Sequence, residues 1–455
     1  MHSTVDVAST TKALSNAGTG KEAATNGGNS LIIGIYRVLL FKRLMLTGFD
    51  RLALGDQHSM ILKKDGSVWS AGFNRYGQLG DGSLVESSKF VRVFMRDVKA
   101  VAVGSDHSMA LKRDGSVWAT GHNMYGQLGD GSKAGKSGFV QVVPSGAEAV
   151  AAGHDYSIVL KEDNSVWATG RNSDGQFGDP TTTVRTVFVL VVSSGVKAVA
   201  AGGYHSMVLK QDGSVWSTGS NAFGQLGAGL KVAKRVEFGE VVGSSVEAVS
   251  AGAYHSFVLK QDGSVWVSGC NLFGQLGDGS TTAKSTFTQV IASGVKAVDA
   301  GHEHSMLLKQ DGSVWATGSN LHGQLGDGST TDRNSFIKVK SSGAKAVEAG
   351  FGHSMMLTQD GSVWATGWNS CGQFGNGLMT STSIFIRVIG PSDGVVHDSD
   401  IRTENGVASD YFLTSRPSTT GERRGIVQLS YCLFTGCVLH CSVTTCHKAL
   451  HPYFS

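Results

Sequence analysis

Apolar residues in this chain come in short runs of four to seven, rich in β-branched side chains and fenced by Gly, Ser and Asp. Residues 188–219 show the unit: "FVLVV", "SSG", "VKAVAAG", "HSMVLK", "QDGS", "VWSTG". Runs of this length with turn residues between them predict strands, four to a repeat. The Asp-Gly pair between two of them predicts a two-residue hairpin turn, whose central positions take positive φ. Asp-Gly recurs at Asp65, Asp114, Asp212, Asp262, Asp311 and Asp360. The third copy has Asp163-Asn164, and Asn also tolerates left-handed backbone.

Tryptophan measures the period. Trp69, Trp118, Trp167, Trp216, Trp266, Trp315 and Trp364 are separated by 49, 49, 49, 50, 49 and 49 residues. A fixed spacing of this size means a repeat architecture. A small four-stranded sheet cannot bury both faces alone, but it can between two neighbours. Seven such sheets stacked radially give an all-β fold, a seven-bladed β-propeller with four-stranded blades. The seven Trp are then structural and pack between blades, burying about 150–250 Å² each. The first Trp-bearing repeat starts near Arg51, and the last leaves through "SIFIRVI" at 383–389. No repeat follows that strand, so it is expected to pair into the first blade and close the ring. "FKRLM" at 41–45 competes for the same slot. The expected organisation is a weakly structured or disordered segment over 1–40, the propeller over 41–390, and a disordered Cys-rich tail over 391–455.

Composition narrows the classes. Apolar residues make up 40 % and charged residues 16 %, with 62 Gly and 5 Pro. The glycines fall at fixed places between apolar runs, which points to turns rather than to low complexity. A net charge of +3 is too slight to imply nucleic acid. Cys270 and Cys371 sit at different places in their repeats and the other four Cys crowd the last 24 residues, so no disulfide framework runs through the fold. That favours a reducing, intracellular compartment. The N-terminus lacks the apolar core of a secretory signal. "LIIGIYRVLLFKRLML" at 31–46 contains Arg37, Lys42 and Arg43 and is too short and too charged to span a bilayer.

Candidate chemistry is thin. His58, His107, His205, His255, His304 and His353 each precede Ser, with Tyr156 in the third copy. A catalytic group is needed once, so near-sevenfold recurrence assigns these histidines to the scaffold, each bonded to backbone at the same place in its blade. The repeated Asp reads as a turn residue and the repeated Gln as a loop-to-backbone tie. His302 and His304 lie two apart, which on a strand shares one face, but no third ligand is near. No Gly-Lys-Ser/Thr follows the glycine runs, so a phosphate loop is unsupported. In the tail, Cys432, Cys437, Cys441, Cys446 and His447 are zinc-type ligands without the paired spacing of a known finger. No catalytic residue, metal or cofactor is assigned.

The repeat "AAGxxHSxxLKxDGSVWxTGxNxxGQLGDG" resembles the regulator of chromosome condensation family. The carrying residues are the His-Ser pairs and the run Gly219, Asn221, Gly224, Gln225, Leu226 and Gly227, and the likeness spans about 51–390. The resemblance implies a seven-bladed propeller but no single activity. The family's namesake is an exchange factor for a Ran-type small GTPase that sits on chromatin, and other members attach such propellers to ubiquitin ligases or signalling proteins. The exchange factor carries an inserted β-wedge and a basic N-terminal tail. Here the Trp spacing never exceeds 50, and residues 1–30 hold only Lys12 and Lys21 as bases against Asp6 and Glu22. The expectation is a monomeric, non-catalytic interaction module with a protein partner and no nucleic-acid, chromatin or membrane partner. Nucleotide exchange on a Ran-type small GTPase, with chromatin association, is the alternative.

If repeated residues are scaffold, function belongs to positions that break the repeat. One set precedes Gly-Gln: Arg75, Tyr76, Met124, Tyr125, Phe223, Phe273 and His322. Aromatic and long side chains of this kind are enriched at binding hot spots. The second set follows the Gly-Asp-Gly turn and centres on Lys231, Lys234 and Arg235. With Lys89, Lys133, Lys136, Arg185, Lys284 and Arg333 it is expected to form a ring of modest positive potential that attracts an acidic partner surface.

Overall fold

The computed structural model describes residues 51–94 and 96–390. Both ends of the chain, including "FKRLM" and the tail cysteines, lie outside the described residues. Blade one is β1 (Arg51–Leu54), β2 (His58–Leu62), β3 (Val68–Gly72) and β4 (Ser87–Phe94). Blade two is β5 (Val98–Val103), β6 (His107–Lys112), β7 (Val117–Gly121) and β8 (Lys136–Val143). β9 (Ala147–Ala152), β10 (Tyr156–Lys161), β11 (Val166–Gly170) and β12 (Arg185–Val192) make the third. The fourth holds β13 (Val196–Ala201), β14 (His205–Lys210), β15 (Val215–Ser220) and β16 (Lys234–Val242). β17 (Val246–Ala251), β18 (His255–Lys260), β19 (Val265–Gly269) and β20 (Lys284–Ile291) form the fifth. The sixth comprises β21 (Val295–Ala300), β22 (His304–Lys309), β23 (Val314–Gly318) and β24 (Arg333–Lys340). The seventh ends the ring with β25 (Ala344–Ala349), β26 (His353–Thr358), β27 (Val363–Gly367) and β28 (Thr382–Ile389). Each blade is one antiparallel sheet in chain order, and the seven together form the propeller.

Two expectations about strand grouping fail. "FVLVV" is not the first strand of the unit that follows it; it lies in β12, the outermost strand of blade three. The "SSG" after it is the link between blades. Val196 N–H donates to Asn164 O at 3.1 Å and Gln211 N–H to Gly195 O at 3.0 Å, which ties the link to the hairpin turns of both blades. The C-terminal strand does not enter the first blade. β28 pairs with β27, Val363 opposite Ile389, because each repeat supplies its own outer strand and β4 already occupies that place in blade one.

The ring therefore closes by packing rather than by strand exchange. Leu52, Ile61 and Phe90 of blade one share a buried cluster with Met355, Leu357, Phe374 and Ile389 of blade seven. Phe90 N–H donates to Gly375 O at 3.2 Å and Gly377 N–H to Ser88 O at 2.7 Å across the same seam.

The hairpin turns also differ from expectation. Gly66 N–H donates to Lys63 O and Lys63 N–H to Ser67 O, both at 2.9 Å, so the turn holds three residues. Only Gly66 needs left-handed backbone, at φ 79°, and Asn164 fills that place in blade three at 65°. Asp65 instead accepts the Ser67 N–H at 2.8 Å.

The repeated histidines bond a side chain, not backbone. His58 Nε2 meets Ser108 Oγ of the next blade at 2.9 Å, and His107, His205, His255 and His304 repeat the contact with Ser157, Ser256, Ser305 and Ser354. His353 returns to Ser59 at 2.9 Å and completes the circuit. Tyr156 takes the place in blade three, accepting from Ser206 Oγ and donating to His205 O. Five of the serines that receive a histidine donate their own proton to a Gln carbonyl, as Ser305 does to Gln275 O at 2.8 Å. The histidine is then the donor, fixing the neutral Nε2–H form. Burial holds these rings neutral, pushing His58, His255, His304 and His353 down to about 3 and His107 and His205 to about 4.

The Trp side chains are half-buried and pack at blade junctions; Trp216 of blade four lies against the blade-three cluster of Ile158, Leu160 and Phe177. The Trp69, Trp118, Trp167, Trp216, Trp266 and Trp315 indole N–H groups each donate to the Ser two residues earlier. In the same six blades a Lys lies over the ring, 4.2 Å from the Trp315 centroid.

Candidate functional site

Antiparallel blades bring two loop families to one face: those joining the first strand of a blade to the second, and those joining the third to the fourth. The glycine ending each third strand makes this approach possible. At Gly219 φ is 108°, and a Cβ would stand 2.5 Å from the Tyr204 carbonyl oxygen. The first family rims a central cavity of about 700 Å³, walled by the first strands of all seven blades.

The repeat breaks at this rim. Asp56, Asp106, His154, Asp155, Tyr204, Tyr254, His302, Glu303 and Phe351 stand between the last glycine of a first strand and its His-Ser or Tyr-Ser. Their rings join those of the second loop family into two arcs. Tyr76 lies 4.9 Å from His122, which contacts Tyr125 at 6.4 Å. Arg171 bridges onward, 5.8 Å over Tyr125 and 5.3 Å over Tyr204. Tyr204 stacks on Tyr254 at 5.3 Å, and Phe223 meets Tyr254 edge-on at the same separation. From Tyr254 the contacts run through His302 and Phe351 to Trp368, which stacks on His322 at 5.3 Å. Arg75 lies over Phe73, itself against Tyr76.

Charges among these rings are coupled. Asp155 faces His122 at 3.7 Å, Arg171 at 3.8 Å and His154 at 3.9 Å, and His154 also faces Asp56 at 3.8 Å. Burial opposes charge on His154, but Asp56 outweighs it and raises the imidazole pKa. Burial, reinforced by the Asp56 charge, pushes Asp106 up to about 7. Burial, with Asp332 nearby, does the same to Glu303. Burial drives His302 down to about 4. Among the described residues no group of three or more His, Cys, Asp or Glu is placed to hold a metal ion.

The structure brings together Arg75, Tyr76, Tyr125, Phe223 and His322 in this belt. Met124 is on the same loops, 61 % exposed. Phe273 lies apart, in an outer groove with Leu272, Thr281 and Ile337. Four of the nine cations expected to form the positive ring are ion-paired. Lys136, Arg185, Lys284 and Arg333 face Asp130, Asp179, Asp278 and Asp327 of their own Gly-Asp turns, the last pair at 2.6 Å. Blade four has no such pair among the described residues, since Ala228 replaces the Asp beside Lys231, Lys234 and Arg235. Of the rim residues, sequence reasoning singled out only His302, and weighed it as a metal ligand. The rim residues break the repeat as visibly as the loop residues, but nothing linear shows that the two positions meet.

The RCC1-like domain family matches residues 137–392. The regulator of chromosome condensation (RCC1) repeat matches 65–111, and a second description of that repeat matches 49–78 and 98–127. No curated protein sequence matches the chain. Among solved structures it is similar to Prp20p from Saccharomyces cerevisiae, 23 % identical with a TM-score of 0.65 over 71 % of this chain and 86 % of that one. Human WBSCR16 is 22 % identical with a TM-score of 0.62, over 68 % and 85 % of the two chains. These two likenesses bear on the fold alone.

Proposed function

The chain belongs to the RCC1-like family, and from that premise we propose that it is a non-catalytic interaction module that docks a protein partner on the face around the cavity mouth. One observation carries the reading. The residues that depart from an otherwise strict repeat gather on this face as touching aromatic rings with an arginine between them. Tyr and Arg give large contact area and oriented donors at modest entropic cost, and they dominate binding hot spots. The test is capture from lysate with the full chain and with its Tyr204→Ala/Tyr254→Ala variant. A partner held by the first and lost by the second supports the reading; equal recovery by both sinks it.

Nucleotide exchange on a Ran-type small GTPase is the second reading. It is favoured by the likeness to Prp20p, whose structure was described with its binding to Gsp1p and histones. Against it, the loops between third and fourth strands differ by no more than about one residue among blades, so no wedge protrudes from the described residues. Release of labelled GDP from a Ran-type GTPase separates the readings. Faster release with the protein present supports exchange, and an unchanged rate removes it.

A further inference from the structure

Outer strands of propeller blades are sheet edges, and exposed edges recruit further strands. Here six of the seven edges are bonded near their start by the turn of the preceding blade. The Gly131 N–H donates to Thr186 O at 2.8 Å, and Asp130 bridges to Val187. Gly82, Gly229, Gly279, Gly328 and Gly377 make the same bond to the strand of the following blade, the last across the closing seam. In all six the glycine is left-handed, with φ between 77° and 89°.

The seventh position is Pro180. Proline has no N–H to give, and its ring excludes the left-handed backbone that the six glycines adopt. Among the described residues no bridge joins Asp179 to Glu237, and no bond from this turn reaches Val236 O. The open edge is β16. Three further departures fall on the same blade. Ala228 stands where an Asp elsewhere pairs with the strand's first cations. Among the described residues Lys231 and Lys234 form no ion pair, and Arg235 Nη1 is buried without a partner. The loop before β16 is one residue longer than its counterparts, and it exposes Leu230 by 69 % and Val232 by 41 %.

We propose that the uncovered edge of β16 is a strand-addition site for an extended peptide segment of a partner protein, acidic at the end that faces Lys231 and Lys234. Backbone groups around Val236 supply the pairing, Leu230 and Val232 the apolar contact, and the two lysines the charge preference. Glu237 and Glu240, exposed further along the strand, disfavour acid at the peptide's other end and so set its direction. This surface is separate from the cavity mouth and does not depend on the reading given above.

The decisive variant closes the edge instead of damaging the fold. Pro180→Gly restores both the N–H and the left-handed turn. The probe is a fluorescein-labelled decapeptide of alternating Val and Thr with two Asp at one end, titrated against the full chain by anisotropy. Saturable binding is expected, weakened about tenfold by Pro180→Gly, the equivalent of one or two edge hydrogen bonds. Pro180→Gly is also expected to raise Tm by about 2–4 °C. A Lys231→Glu/Lys234→Glu variant is expected to weaken binding while leaving Tm in place. No binding by the wild-type chain, or equal binding by Pro180→Gly with its raised Tm, overturns the proposal. A wild-type dimer in sedimentation that Pro180→Gly dissociates assigns the edge to a second copy and overturns it too.

Discussion

Ser305→Ala tests whether the circuit of histidines and serines holds the blades together. Ser305 Oγ accepts from His255 Nε2 at 2.9 Å and donates to Gln275 O at 2.8 Å, and His255 and Ser305 are fully buried. Removing the hydroxyl orphans a donor and an acceptor in a site closed to water. Each orphan costs about 1–3 kcal/mol, so the variant should lose about 2–6 kcal/mol. His255→Phe keeps an aromatic ring, as Tyr156 does in blade three, but removes the donor. In the double variant only the Gln275 carbonyl is left unpaired. The cost of Ser305→Ala should then fall by about 1–3 kcal/mol when Phe occupies position 255. The assay is equilibrium urea unfolding at pH 7.5, followed by Trp fluorescence. A coupling below about 0.3 kcal/mol would refute the reasoning and leave apolar packing as the whole of the junction.

The same histidines set a pH dependence. Each has a folded pKa of about 3–4 against an unfolded value of about 6.5, so its contribution is full above pH 6.5 and is lost as pH falls. Asp106 and Glu303, at about 7, act oppositely: their contribution is full at low pH and fades as pH rises toward 7. Replacing His107 by Gln isolates one group among its neighbours Asp155, His122 and His154; between pH 5 and 6 the unfolding free energy should fall less steeply than in the wild type, by about 1.4 kcal/mol per pH unit, and an unchanged slope would show the ring already charged. Trp364 Nε1 is buried without a partner, whereas the Trp315 Nε1–H donates to Ser313 Oγ at 3.0 Å; both rings carry a Lys. Trp315→Phe should therefore destabilise by about 1 kcal/mol more than Trp364→Phe in the same urea assay. Because no strand crosses the closing seam, a permutant that joins Ile389 to Arg51 through a short linker and opens before Val98 should keep a cooperative transition; a molten far-UV-only state would contradict closure by packing.

Much of this was legible in one dimension because the period is nearly strict. Seven copies of Trp at 49–50 residues state the blade count, and strand type follows from short β-branched runs between glycines. The repeated His, Asp and Gln declared themselves scaffold by recurrence. Gln78 Oε1 does tie its loop, accepting the Tyr76 N–H at 3.1 Å. Blade boundaries were not legible. A three-residue link between adjacent apolar runs looks like a hairpin, and only pairing shows that "SSG" separates two sheets. The histidine partners were hidden for the same reason, since the serine that receives each one belongs to the next blade.

The architecture is written in one dimension, because local strand and turn chemistry repeated seven times admits one radial solution. The sequence also held the clues to function, as letters that break the pattern. Tertiary structure decided which of those letters act together. Tyr76, Tyr204 and Trp368 are far apart in the chain, and they share a face only because alternate loops of antiparallel blades emerge at the same end. Pro180 reads as one more turn residue until its missing N–H is set beside six neighbours that use theirs. The physical reason is common to both cases: periodicity is a property of the chain, whereas adjacency across blades is created by closure of the ring.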